Sequence, residues 1–307
     1  MELPQSGHDP VLLVECLELL RPQAGQTFVD CTLGRAGHAL AFAQRLGPTG
    51  RLIGLDVDPR NLEFARARLS NAPCPVRFFH ANFAELSDVL KLAGLARVDG
   101  ILADLGLSTN QLFDAQYGLS FSQPMPLDMR IDPRSEKTAA DLVNHLKEED
   151  LANVLYELAQ ERYSRRIARK IVEARRISPI KTTDRLAEIV RSAIPLRPHK
   201  RGARGGAPVE IDPATRTFLA LRMVVNREIE NLQALLQQAL RHLKGGGRLA
   251  VISFQSTEDR MVKQAFRLAE ERGGFRVLTK KPVGPGDEEI ARNPRSRSAK
   301  VRVLERL

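Results

Sequence analysis

A short β-prone run, Thr27-Phe-Val-Asp30, ends on a carboxylate. It passes into a small-residue turn, Leu33-Gly-Arg-Ala-Gly37, and then into an apolar helical start, Ala39-Leu-Ala-Phe-Ala43. Strand, glycine turn and helix in that order are the opening unit of a nucleotide-binding α/β domain. The turn needs glycine because its backbone must approach a ligand closely, where a Cβ would intrude.

The same rhythm continues downstream. Arg51–Asp58 reads as a second buried strand, with Pro59 at the start of a helix that runs to about Leu69. Val76–His80 is a third strand, and Ala81-Asn-Phe83 leads into another helix. Val98–Leu105 is a fourth strand. Strands alternating with helices predict a parallel sheet with right-handed crossovers. Residues 9–20 read as a short amphipathic helix that Arg21-Pro22 ends.

Near Leu107 the rhythm stops. From there to about Asp212 the pattern is helical, over Ala139–Asn144, Glu149–Ala159, Ser164–Arg176 and Thr183–Ser192. The α/β pattern then resumes. Ala214–Leu243 reads as one long helix, carried by Phe218, Leu221, Val225, Ile229, Leu232 and Leu236, and stopped by Gly245-Gly-Gly247. Arg248–Phe254 is a fifth strand, Thr257–Glu271 a helix, and Phe275–Lys281 and Lys300–Arg306 a hairpin-like final pair reached through a basic loop (Arg292, Arg295, Arg297). The predicted organisation is a discontinuous α/β domain, 1–107 with 212–307, interrupted by a helical domain at 108–211.

Charge gives the insertion a role. The chain carries a net +10, and residues 160–206 alone hold 14 Lys or Arg against 4 Asp or Glu, the same net value. Arg162, Arg165, Arg166, Arg169 and Lys170 recur at helical spacing, and Lys200, Arg201 and Arg204 lie in a glycine-rich loop. Such a surface neutralises phosphates and points to nucleic acid; the alternative is a solvated helix face. Cys16, Cys31 and Cys74 include no C-x-x-C pair, so no zinc site is expected, and a low, odd count fits a reducing compartment. No apolar run reaches the roughly 18 residues of a membrane span. The expected location is the cytoplasm.

Ligands of an open α/β sheet bind beyond the carboxyl ends of its strands. Gly34 to His38 follow strand one, Asp56 ends strand two, Phe83 follows strand three and Asp104 lies at the end of strand four. A carboxylate at Asp56 can accept ribose hydroxyls, and Phe83 can lie along an adenine. Each has a plainer alternative: a helix N-cap for Asp56 or Asp58, a core residue for Phe83, a helix-start residue for His38. Together they point to an adenosine-containing cofactor. The dinucleotide fingerprint lacks its third glycine, and the P-loop pattern is absent. S-adenosylmethionine, with a sulfonium and no pyrophosphate, suits a carboxylate such as Asp30 beside the turn.

The chain resembles the RsmH (MraW) family of bacterial ribosomal RNA methyltransferases over almost its whole length. The motifs that carry the resemblance include His8-Asp-Pro-Val-Leu-Leu13, Leu33–His38, Ile101-Leu-Ala-Asp-Leu-Gly106, Pro126-Leu-Asp-Met-Arg130, Pro213–Phe218, Val225-Asn226, Ile252-Ser-Phe254, Glu258-Asp-Arg260 and Asn293-Pro-Arg295. The resemblance implies a Rossmann-like, class I S-adenosylmethionine-dependent methyltransferase with an inserted all-helical domain. It implies methylation of the exocyclic N4 amine of one cytidine in 16S rRNA, at the decoding centre of the small ribosomal subunit. It places cofactor contacts at Ala36, Gly37, His38, Asp56, Phe83, Asp104 and Gln111. The family's usual turn is Gly-Arg-Gly-Gly-His, so Ala36 is a departure that predicts a negative φ at that position. Gln255 stands where the family has histidine, and glutamine cannot act as a base.

Direct methyl transfer to N4 calls for hydrogen-bond acceptors at that nitrogen's protons. Asp104 is the first candidate, with Ser108 and Asp128 behind it. The Asp-Pro-Pro-Tyr loop of amino methyltransferases is absent, which leaves Phe121 or Tyr117 as stacking partners for a base unstacked into the pocket. A DNA or protein methyltransferase is a rival reading. A catalytically silent RNA-binding assembly factor that keeps the cofactor fold is the rival from another class, and a dehydrogenase is more distant.

Overall fold

The computed structural model describes residues 10–195 and 212–307, and it divides into two units, Met1–Ser108 with Ile229–Leu307, and Thr109–Glu228. The loop lysine and arginines Lys200, Arg201 and Arg204 lie outside the described residues.

The first unit opens with α1 (Leu13–Leu20). It then alternates β1 (Thr27–Asp30), α2 (Gly37–Leu46), β2 (Arg51–Asp56), α3 (Pro59–Arg68), β3 (Val76–His80), α4 (Leu86–Leu92) and β4 (Val98–Leu105). The second unit contains α5 (Thr109–Phe113), α6 (Ala139–His145), α7 (Glu148–Ala159), α8 (Ser164–Ile177), α9 (Thr183–Ala193) and α10 (Ala214–Val225). The first unit resumes with α11 (Glu228–His242), β5 (Leu243–Ser253), α12 (Ser256–Glu271), β6 (Phe275–Val277), α13 (Asp287–Arg292) and β7 (Lys300–Arg306).

The seven strands lie in the order β3-β2-β1-β4-β5-β7-β6. Those from β3 to β5 are parallel, whereas β7 runs antiparallel to both β5 and β6. The chain runs outward from β1 to β3 on one side and then crosses to β4 on the other, so the strand order switches at β1, as in doubly wound sheets, and the strand ends on both sides of that switch point form the ligand edge. Phe28, Val29, Leu52, Ile53, Ile101 and Leu102 are at most 2% exposed and make the sheet's centre. A strand covered by helices on both faces has to be apolar on both sides. Gly100 lies here because a Cβ would come within 2.3 Å of the Phe28 ring.

Four expectations about the elements are corrected. Ala214–Leu243 is two helices. The apolar spacing runs through the break unchanged, but Asn226 stops α10 by donating its Nδ2 to the carbonyls of Met129 (2.8 Å) and Arg222 (3.0 Å), and Arg227 turns left-handed at φ 50°. Gly245-Gly-Gly247 does not stop a helix; it lies inside β5, where the pairing with β4 shifts register between Val98 and Gly100. The helical unit ends at Glu228 and not near Asp212, so α10 belongs to it. The basic stretch before β7 is also more ordered than a loop: it holds α13 and a 3-10 turn, Pro294–Ser298.

Candidate active site

Asp56 builds the glycine turn after β1. Its Oδ2 accepts the Gly34 N–H at 2.7 Å and its Oδ1 accepts the Asp58 N–H at 2.8 Å. The end of β2 thus pins the loop of β1, with Gly34 at φ 50°. The Asn61 side chain also bonds this carboxylate, and the acceptor capacity that remains can take a ribose hydroxyl. Burial pushes Asp56 up to about 6, against the pull of those backbone donors. Asp58 is the N-cap of α3, accepting the Arg60 N–H at 3.0 Å.

Ala36 overturns its sequence expectation. It sits at φ 60°, ψ 34°, left-handed and wholly buried, as the N-cap of α2. Its methyl group is carried in a conformation that costs a residue with a Cβ roughly 1–2 kcal/mol. Gly37, the next residue, packs closely: a Cβ there would lie 3.0 Å from the Pro10 ring, which would have to give by a few tenths of an ångström. Arg35 stacks its guanidinium 4.5 Å from the centre of the Phe64 ring, and Arg68 donates to the Arg35 carbonyl at 2.9 Å.

His38 is buried at the first turn of α2, 2.9 Å from the Val11 carbonyl through Nε2. A carbonyl can only accept, so Nε2 carries the proton. Burial pushes the ring down to about 4, so it is neutral at pH 7 and fixes the loop rather than exchanging protons. Phe83 opens a 3-10 turn after β3 and is half-buried, packed against the core.

Asp104, the last residue but one of β4, donates its backbone N–H to Thr32 Oγ1 at 2.6 Å. Its Oδ1 is buried with no hydrogen-bond partner. Burial, then the charges of Asp30 and Glu258, push the carboxyl up to about 7. Asp30, at the end of β1, is 2% exposed and reaches about 7 for the same first reason. Glu258 is also buried and accepts the N–H groups of Phe254 (3.1 Å) and Gln255 (3.0 Å) at the start of α12. Gln255 is therefore a helix N-cap residue here. Ser108 follows β4 by three residues, its hydroxyl oxygen buried.

The remaining expected residues lie in the second unit. Gln111 is buried in α5. Asp128 is held by Arg130 through both oxygens, at 2.7 and 2.8 Å, so its strongest acceptor directions are already occupied. Phe121 is engaged edge-on with Phe218 at 4.6 Å, with Arg191 at 5.7 Å over its ring. Tyr117 is buried. On α8, Ile167, Ala168, Ile171 and Val172 are buried, and Arg165, Arg166, Arg169 and Lys170 are exposed with Arg162 just before the helix. Lys170 pairs with Glu173 and Arg169 reaches Glu148 at 3.7 Å. Arg162, Arg165, Arg166 and Arg176 have no ion pair among the described residues.

Thr32 is the residue that sequence reasoning missed. Its signal was slight: a hydroxyl two positions past the strand-end Asp30, inside a turn read only for its glycines.

The donor set fits S-adenosylmethionine. Asp30 and Asp56 are buried, Asp104 is half-buried with its Oδ1 buried and orphaned, and none of the three has an ion pair among the described residues. That arrangement is costly alone and is relieved by a cation. A sulfonium supplies one positive charge without the pyrophosphate that a tighter helix N-terminus would hold.

Sheet order, antiparallel β7 and this acidic strand-end site define an S-adenosylmethionine-dependent methyltransferase with the class I fold. The family model of the MraW methylase family matches residues 5–307. The chain belongs to that family. A relative from Acidobacterium capsulatum, named ribosomal RNA small subunit methyltransferase H, is 45% identical over 99% of this chain and 100% of its own length. Relatives of the same name from Syntrophobacter fumaroxidans and Geobacter sulfurreducens are each 45% identical, covering 99% and 98% of this chain and 97% and 99% of their own.

Proposed function

We propose that this protein methylates the exocyclic N4 amine of one cytidine of 16S rRNA, at the decoding centre of the small ribosomal subunit, in the cytoplasm. The observation that carries the chemistry is the orphaned, buried Oδ1 of Asp104 at the ligand edge of the sheet. Full-length relatives named for the small-subunit RNA support the substrate.

Bound S-adenosylmethionine supplies an electrophilic methyl group. Gly34, Ala36, Gly37 and His38 form the backbone cradle, Asp56 and Phe83 hold the ribose and adenine, and Gln111 completes the expected set. Asp104 accepts a hydrogen bond from the amine, which favours a pyramidal nitrogen whose lone pair is less delocalised into the ring. Its raised proton affinity also suits it to take the proton that leaves, since acid–base catalysis is best near the working pH. Ser108 and Asp128 remain secondary acceptors, with Asp128 weakened by its pairing to Arg130. The free arginines of α8 take up RNA phosphates.

Transfer of labelled methyl groups to small subunits lacking the modification, followed by mass mapping of the nucleotide, tests the reading. One methyl on a cytidine N4 is the expected result. Subunit binding without transfer would replace it with a silent assembly factor, and methylation of DNA or protein in place of the subunit would replace the substrate.

A further inference from the structure

The backbone ladder between β1 and β4 ends at Asp30 opposite Leu102, with one further bond from the Cys31 N–H to the Leu102 carbonyl at 2.8 Å. Beyond that the two chains separate, and a side chain takes over. Thr32 donates its N–H to Asp30 Oδ1 at 3.2 Å and accepts the Asp104 N–H on Oγ1 at 2.6 Å. One residue thus touches both strand-end acids. Asp104 is held from the other side by a tight turn, Gly106 N–H to the Asp104 carbonyl at 2.9 Å. A carboxylate fixed at its own backbone in this way is aimed by whatever holds that backbone.

We propose that Thr32 is a positioning residue for methyl transfer: it holds Asp30 and Asp104 as one acidic pair, whose free Asp104 Oδ1 takes the proton that leaves the methylated nitrogen. This rests on the cytidine reading above for the identity of the nitrogen only. The amine's lone pair forms the N–C bond as the C–S bond breaks with its electrons left on sulfur. The nitrogen is then cationic, an N–H bond breaks with its electrons left on nitrogen, and the proton passes to Asp104 Oδ1. The pair starts the step with both acids ionised beside a positive charge and ends it holding one proton beside a neutral sulfide, so the net charge of the pair and its neighbours at the strand ends is balanced throughout.

The groups around the pair are acidic or neutral. Asp56 on β2 acts on Asp30, and Glu258 on α12 acts on Asp104. Cys16 on α1 and Cys31 after β1 are thiols held protonated by burial, with Glu15 and Glu289 acting on Cys16. His38 is neutral. With no cation among them, burial and mutual repulsion favour one shared proton near neutrality, and a bound sulfonium favours its loss.

Two substitutions at Thr32 separate positioning from packing. Thr32→Ser keeps the hydroxyl acceptor, and Thr32→Val keeps the shape and removes it. The serine variant should retain wild-type turnover and pH profile. The valine variant should lose roughly 10- to 100-fold in kcat, with KM for small subunits unchanged and the acid limb of the profile displaced. Calorimetry of S-adenosylmethionine binding at pH 7, in two buffers of different ionisation enthalpy, should show a proton released by the wild type and the serine variant, and less by the valine variant. S-adenosylhomocysteine, which has no sulfonium, should release none. A folded valine variant with wild-type kcat and pH profile overturns the proposal, as does a serine variant as damaged as the valine one. Should the valine variant not fold, the wild-type titration decides: no proton released overturns it. Proton release by a wild type that transfers no methyl to small subunits would sink the cytidine reading and leave the acidic pair standing.

Discussion

The two units handle charge in opposite ways. The first buries acids without cations: Asp30, Asp56 and Asp104 stand at adjoining strand ends, each pushed up in proton affinity by burial. The second exposes cations in excess of acids: Arg162, Arg165, Arg166 and Arg176, with no ion pair among the described residues, lie on or beside the solvent face of α8, over a buried Ile167-Ala168-Ile171-Val172 stripe. Each arrangement is unfavourable or idle in the free protein and becomes favourable with a ligand of opposite charge. Buried charge is weakly screened and costly to leave uncompensated, so it suits a small cation held in one pose. Exposed charge is solvated and screened by salt, so each cation contributes modestly and a row of them suits a long polyanion met in many orientations.

Breaking the buried side should have the largest effect. Asp104→Asn keeps size and backbone hydrogen bonding and removes the proton acceptor. Turnover with small subunits should fall by roughly 100-fold or more, measured by labelled methyl transfer at saturating cofactor. Full activity in this variant would remove Asp104 from the chemistry.

The exposed side should break more gently and only toward RNA. Replacing Arg162, Arg165, Arg166 and Arg176 by alanine should weaken small-subunit binding roughly 10-fold at moderate salt and flatten the salt dependence by about one phosphate contact per arginine. Affinity for S-adenosylmethionine, measured by calorimetry, should not change. An unaltered salt slope would mean that this face is merely solvated. The paired residues Arg169 and Lys170 should contribute less, because Glu148 and Glu173 already neutralise them in part.

The buried acids also predict how the free protein responds to pH. An unfolded aspartate titrates near 4, whereas Asp30 and Asp104 are raised to about 7 and Asp56 to about 6. The folded state therefore binds more protons across that window, and stability falls as pH rises through it. His38 works the other way: lowered to about 4, it makes the folded state bind fewer protons below the unfolded value of 6.5. Above pH 6.5 the unfolded ring is losing the last of its protons, so the opposing contribution of His38 fades and the acids dominate. Melting temperature should drop between pH 6.5 and 8, and saturating S-adenosylmethionine should reduce the drop. A melting temperature that climbs over this interval would show that the acids are compensated in the fold.

The contrast between the units also explains what could be read from the sequence. Strand ends were legible because each β-prone run carries an aspartate at or near its end, Asp30, Asp56 or Asp104, and a sheet of parallel strands puts those ends on one edge; the second run reads two residues long, to Asp58, where the strand stops at Asp56. The α8 face was legible because burial and exposure alternate at helical spacing. The division of Ala214–His242 into two helices was not, since Leu221, Val225, Ile229 and Leu232 keep their spacing across it. The break comes from Asn226 bonding to Met129, 97 residues away. Thr32 was hidden for the same reason: its partner Asp104 is 72 residues distant. Gly245-Gly-Gly247 reads as a helix stop locally, and only pairing with β4 makes it strand.

Ala36 gives the smallest expected effect and the sharpest test of the cradle itself. Residue type gave no access to its φ, because alanine ordinarily avoids the left-handed region that it occupies here. Ala36→Gly should relieve that strain, while the added freedom of glycine in the unfolded chain offsets part of the gain, roughly 0.5–1 kcal/mol. The net gain should lie between a few tenths and about 1 kcal/mol, seen as a melting temperature higher by about 2 °C. The methyl group is fully buried, so removing it leaves a small void that can take back some of this. If the loop's shape is set by the Asp56 to Gly34 bond, as the 2.7 Å distance indicates, affinity for S-adenosylmethionine should stay within about 3-fold of wild type, a difference of under 1 kcal/mol. A loss of stability together with a large loss of affinity would instead show that the alanine methyl group, strained as it is, holds the cradle closed.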